Sequence, residues 1–269
     1  MDLPLLCSST GLALIRPTTD PCVRISKASF PPLEAIYRGR QEEEINYARY
    51  NRFDTTGGRT LYLSASAQTA FAEVLAPFRV QISKLGGLAK DAQSLGVSTE
   101  ELLELIQSDW LEQGHMATGL VPVSWREERQ IHLVAPPIRG FWIDVESPYS
   151  ISAISRLLQN PKNSWVTSEL GKLGVNELDT GLLRGPNRQA TVILSSLLRT
   201  TRLQDGNIPL DLVYESKHGL GRCFATYYDH HKDVEGTEGE HPKIISSLPI
   251  SSFHPDLVAV AKLFGLRVL

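Results

Sequence analysis

The chain has 269 residues, 42% of them hydrophobic and 21% charged, with a formal net charge of −3. That is long and apolar enough to bury a full core without disulfides or metals. The near-neutral balance argues against nucleic acid as the main partner, because binding a phosphate backbone needs a basic face; two or three arginines would still suffice for a small phosphorylated ligand.

Taken from the start, Met1–Ile15 carries Asp2 where a secretory leader has basic residues, and its leucines stop at Cys7-Ser8-Ser9-Thr10-Gly11, so it makes a poor signal peptide. No run of about 18 apolar residues predicts a membrane span. Cys7, Cys22 and Cys223 form no Cys-x-x-Cys pair, and an odd, sparse set fits free thiols in a reducing compartment. The expectation is a cytoplasmic globular protein.

Strand-like runs lie at Gly11–Ile15, Val23–Ile25, Thr60–Leu63, Ile131–Val134, Phe141–Val145, Leu210–Tyr214 and Cys223–Tyr228, most with β-branched or aromatic residues between Gly, Pro or Asp. After the Thr60–Leu63 run, Ser66 is a candidate N-cap. Ala67, Ala70, Phe71, Val74, Leu75 and Phe78 then recur at helical spacing. Ser98-Thr99-Glu100-Glu101 reads as a capping box opening a helix that ends before Gly114, with Leu102, Leu103, Ile106 and Trp110 inward. Further helices are predicted over Arg188–Thr201 and Pro255–Phe264, the second with Pro at its start and Gly265 past its end. Strands neither alternate strictly with helices nor segregate from them, which predicts an α+β domain over a doubly wound sheet. A single domain over residues 1–269 is expected, with Ile82–Gln113 as a helical insertion and the polar Asp229–Pro242 stretch as a surface loop.

The stretch richest in chemistry starts at Tyr37-Arg38. It continues through Asn51-Arg52-Phe53-Asp54 and Leu61-Tyr62-Leu63-Ser64 to Thr69-Ala70-Phe71-Ala72-Glu73. This places Arg38 and Arg52 near strand ends, Tyr62 within a strand and Glu73 on the next helix. Glu73 sits beside the apolar stripe, within reach of a pocket between helix and strand. Spacing alone favours solvent-facing charges for Arg38, Arg52 and Glu73.

These motifs, in this order, resemble the N-terminal half of the RES domain, a family named for its Arg, Glu and Ser. The family's Ser lies in a later strand, matched by Val213-Tyr214-Glu215-Ser216, before a Cys-containing strand matched by Arg222-Cys223-Phe224-Ala225. Trp125–Arg129 and Leu183–Arg188 resemble elements of longer members, so the resemblance runs from about Leu33 to Tyr228. Two departures stand out: Gly39 replaces a larger side chain and Asp54 replaces the commoner Asn. The resemblance implies an ADP-ribosyltransferase-like split sheet and an NAD-consuming enzyme that cleaves the nicotinamide–ribose bond by phosphorolysis or hydrolysis. It also implies the toxin role in a toxin–antitoxin pair, with an antitoxin carrying a helix-turn-helix-like domain as partner. On it, Arg38, Glu73 and Ser216 are the catalytic residues. Tyr37, Arg38, Arg52, Tyr62 and Ser216 are the substrate-binding residues, and NAD is substrate with no metal expected. Glu73 would stabilise the oxocarbenium-like ribose and orient the nucleophile, Arg38 would bind phosphate oxygens, and Ser216 would hydrogen-bond ribose or phosphate. Transfer of ADP-ribose to a protein target, or NAD binding without catalysis, are the alternatives.

The rest reads more plainly. Asp229-His230-His231 with His241 lacks paired zinc-ligand spacing. Gly57-Gly58 and Gly219-Leu220-Gly221 complete no phosphate-binding motif. Cys223, Trp110, Trp125, Trp142 and Trp165 are expected to pack in the core.

Overall fold

A computed structural model of the chain describes residues 4–39, 46–79, 82–102, 104–105, 119–138, 140–229 and 241–269. The chain opens with strands β1 (Leu5–Leu6), β2 (Ala13–Ile15), β3 (Cys22–Lys27), β4 (Tyr37–Arg38) and β5 (Gly58–Ser64). Helices α1 (Ala67–Leu75) and α2 (Ile82–Leu95) follow, then β6 (Leu120–Val121), α3 (Val123–Glu127), β7 (Arg129–Ala135) and β8 (Trp142–Asp144). A helical run comes next: α4 (Pro148–Leu158), α5 (Ser164–Lys172), α6 (Thr180–Arg184) and α7 (Arg188–Arg199). The chain closes with β9 (Asp211–Glu215), β10 (Arg222–Tyr227), β11 (Lys243–Pro249), α8 (Pro255–Phe264) and β12 (Arg267–Val268).

Among the described residues, ten strands form one mixed sheet in the order β1-β2-β8-β9-β10-β5-β3-β7-β11, with β4 on β5. Its pairings are antiparallel except for β8–β9. The sheet is nearly divided in the middle. β5 and β10 stay paired from Thr60–Tyr227 to Ser64–Cys223, and β3 and β7 from Cys22–Val134 to Lys27–Arg129. Between β3 and β5 the register consists of Val23–Ser64 alone. Beyond that pair the two half-sheets part and leave a cleft.

Separate apolar clusters hold the halves. Under β8, β9 and β10, the α7 residues Ile193, Leu194, Leu197 and Leu198 pack with Ile154, Val166, Leu212 and Ala225. Against the β3–β7 half, Phe71 and Leu75 of α1 pack with Trp125 and with Leu257 and Val260 of α8. Alternation in β5 serves both layers: Leu61 and Leu63 are buried with Trp142 and Phe224, while Tyr62 points to the opposite face and packs with the first cluster.

Caps read in the sequence are in place. Ser66 Oγ accepts from Thr69 N–H at 3.2 Å, and Ser98 and Glu101 exchange hydrogen bonds of 2.8 and 3.0 Å. Gly265 closes α8 in the left-handed region, φ 66°. The remainder of the expected insertion to Gln113, including Trp110, lies outside the described residues, as do residues 230–240 of the expected loop. Strand β11 and helices α4, α5 and α6 carried no sequence expectation. Trp125 and Trp142 are core, but Trp165 is half exposed, a correction: α5 turns it outward while Val166 and Leu170 make the buried face. All three cysteines are buried and free. Among the described residues no helix is long and apolar enough to cross a membrane.

Candidate active site

The cleft between the half-sheets is a cavity of about 1070 Å3. Helix α1 brings Glu73 to its wall, and the β9–β10 turn sets the carboxylate. Thr69 at the start of α1 donates its hydroxyl to Leu220 O, and Ser216 N–H donates to Gly221 O at 2.8 Å. So docked, the turn lets Ser216 Oγ donate to Glu73 Oε1 at 2.6 Å while accepting from His218 N–H at 3.1 Å. Ser216 is 2% exposed and stands behind Glu73, outside the cavity wall.

Arg38 lines the cavity from β4, its Nε donating to Asp54 Oδ2 at 2.8 Å and its guanidinium lying 4.9 Å over the Tyr50 ring. Tyr62 donates its hydroxyl to Asp54 Oδ1 at 2.9 Å and accepts from Phe53 N–H at 3.1 Å. Burial, with Asp54 adding to it, holds the Tyr62 phenol well above its ordinary range. Arg52 lies over the Tyr214 ring at 4.8 Å, 3.9 Å from Glu146. Tyr37 goes elsewhere: it is 54% exposed, its ring 5.7 Å from the Arg59 guanidinium, and it forms no part of the cavity wall.

Other wall residues had no role in the sequence reading. Arg24, in the middle of β3, points into the cleft, where its Nη atoms donate to the carbonyls of Tyr62 at 3.2 Å and Glu34 at 3.0 Å. Burial lowers its guanidinium to about 10. A cation flanked by Val23 and Ile25 in a short strand gives no signal of this, because only the parting of β3 from β5 makes the position a cavity wall. His218 also lines the cavity. Burial lowers its imidazole and the cations Lys217, Arg79 and Arg52 push the same way, against Glu73. Cys223 is pushed up to about 12 by burial and then by Glu73, so its thiol stays protonated and is no nucleophile at neutral pH.

Five cations (Arg24, Arg38, Arg52, Arg188, Lys217) against three carboxylates (Glu34, Asp54, Glu73) face this space, in a chain whose net charge is −3. Such a pocket suits an anionic, nucleotide-sized ligand, with one carboxylate pinned by a buried hydroxyl. Among the described residues no three or more His, Cys, Asp or Glu side chains come together as a metal site. Asp229 is committed to Arg59 and Arg199.

The fold is thus mixed α/β with a cation-rich cleft, and part of the sequence matches a family model. The family model described as RES domain matches residues 21–144. The matched stretch includes Arg24, Arg38, Arg52, Tyr62 and Glu73 but not Ser216. No curated protein matches the sequence. Among solved structures, the chain is similar to a chain of the crystal structure of the M. tuberculosis MbcT–MbcA toxin–antitoxin complex. The identity is 12%, the TM-score 0.42, and the match covers 93% of this chain and 89% of that one.

Proposed function

We propose that the protein consumes NAD, breaking the bond between nicotinamide and ribose. The observation that carries this reading is the Glu73 carboxylate, pinned at 2.6 Å by Ser216 in the wall of a cavity whose other charges are mostly cationic. Nicotinamide in NAD is already cationic, so the bonding pair leaves with the ring nitrogen and the leaving group departs neutral. The cost lies in the positive ribose carbon left behind. A fixed carboxylate beside it stabilises that charge as it develops and orients the attacking oxygen on the far side.

In this reading Arg24 and Arg38 take the pyrophosphate oxygens, the planar guanidinium fork suiting two of them at once. Arg24 donates to two backbone carbonyls, whereas Arg38 is paired with the Asp54 carboxylate, so the Arg24 charge is the less compensated of the two. The Tyr62 ring and Arg52 bound the sugar end. Ser216 acts through Glu73, and Tyr37 has no part. The family resemblance extends the proposal to a toxin with an antitoxin partner.

Product analysis tests the reaction and names the acceptor. Purified protein with NAD is expected to release nicotinamide together with ADP-ribose in plain buffer, or ADP-ribose phosphate when phosphate is supplied. Mass gain on a co-incubated protein would instead mark transfer to a protein. Saturable NAD binding with no nicotinamide under any condition would reject the cleavage reading.

A further inference from the structure

We infer that Asp54 is a positioning residue that locks Arg38 and Tyr62 into one rigid ligand-facing unit, acting by the geometry of its oxygens rather than by its charge. This rests on the reading of the cleft as an NAD site. Asp54 is 3% exposed and sits in the turn before β5, where Asp54 N–H donates to Asn51 O at 3.2 Å. Its carboxylate is the meeting point of three donors from three segments. Oδ2 accepts from Arg38 Nε at 2.8 Å and from Asn51 N–H at 2.9 Å, and Oδ1 accepts the Tyr62 hydroxyl at 2.9 Å.

Each contact removes a freedom that a ligand would otherwise have to remove. Arg38 is gripped at Nε and backed by the Tyr50 ring at 4.9 Å. Its plane is therefore fixed, and both terminal nitrogens remain for an anion in the cavity that Arg38 lines. Tyr62 has its hydroxyl committed on both sides, to Asp54 and to Phe53 N–H, so the ring can present only its side to the cavity. Asn at position 54 could keep this arrangement: its one oxygen accepts from Arg38 and Asn51, and its amide donates to the Tyr62 oxygen. Ala could not.

The test is steady-state nicotinamide release by the purified full chain with unfolding temperature recorded beside it. Asp54→Ala is expected to lower kcat/KM by about tenfold or more, chiefly through KM, and Asp54→Asn to stay within about threefold of wild type. In an Arg38→Ala background, Asp54→Ala should cost no more than about twofold further, because both changes remove one unit. Asp54→Ala within about twofold of wild type, Asp54→Asn as impaired as Asp54→Ala, or losses that multiply in the double variant would each overturn the assignment. Should Asp54→Ala not fold, Arg38→Lys keeps the charge and loses the gripped Nε–H. A similar loss then supports the assignment, and wild-type kcat/KM overturns it. If wild type releases no nicotinamide, the cleavage reading fails; the same variants are then ranked by their Kd for ADP-ribose, where the same pattern supports the assignment and an equal Kd for Asp54→Ala overturns it.

Discussion

Ser216 touches Glu73, at 2.6 Å, and is too deeply set to touch a ligand in the cleft. Ser216→Ala should therefore lower kcat for nicotinamide release by roughly 10- to 100-fold with KM nearly unchanged, because what it removes is the aim of a group that acts in the transition state. Steady-state kinetics would show the opposite pattern, a raised KM at constant kcat, if the hydroxyl served to bind substrate. A second residue carries a pH signature. Burial raises the Asp211 carboxyl to about 7, on the β9–β10 register opposite Thr226. The folded chain then holds a proton between about pH 4 and pH 7 that the unfolded chain releases, so stability falls as pH rises through that window and levels off above it. Unfolding temperature against pH should show this decline in wild type and lose it in Asp211→Asn; an unchanged slope in the variant would rule Asp211 out as its source. At this scale Glu73 was legible through the ordered motifs that resemble the RES domain, since spacing alone favoured a solvent-facing charge. Arg24 was not, because its value depends on where two strands part.

Helix α8 shows how an element's ends follow from local chemistry. Pro255 starts it, and Gly265 takes φ 66° just past Phe264, a region that a side chain enters at a cost. Gly265→Ala should destabilise the protein by about 1 kcal/mol, read as a lower denaturant midpoint at constant slope; no change would mean that the cap contributes nothing to α8, which packs Leu257 and Val260 against α1. Strong local signals made such elements readable: Ser66 before α1, the Ser98–Glu101 box, and the β-branched and aromatic runs of β3, β5, β7, β9 and β10. The elements that went unread lack them. Strand β11 is an edge strand with exposed Ile245 and Leu248 and no clean alternation. Helix α4 begins Pro148-Tyr149-Ser150 and α5 begins Ser164-Trp165, openings that read as loop.

The molecule as a whole works by division. A continuous sheet would bury its strands' edges against one another, whereas here β3 and β5 hold on at Val23–Ser64 only. The gap gathers residues from β3, β4, β5, α1 and the β9–β10 turn around one cavity. No sequence pattern reports a gap between strands that are 30 or more positions apart, so Arg38, Arg52, Tyr62 and Glu73 were named singly while Arg24 and the assembly of the site were not. A chain of net charge −3 also gives no hint that this cavity is lined mostly by cations, because average composition hides how charge is placed. The central claim, an NAD-cleaving cleft in which Glu73 stabilises the transition state, is tested most directly by measuring NAD affinity and nicotinamide release together for wild type and Glu73→Gln. The account predicts NAD Kd within about threefold of wild type and release slowed by roughly 100-fold or more. Unchanged release in Glu73→Gln would contradict it.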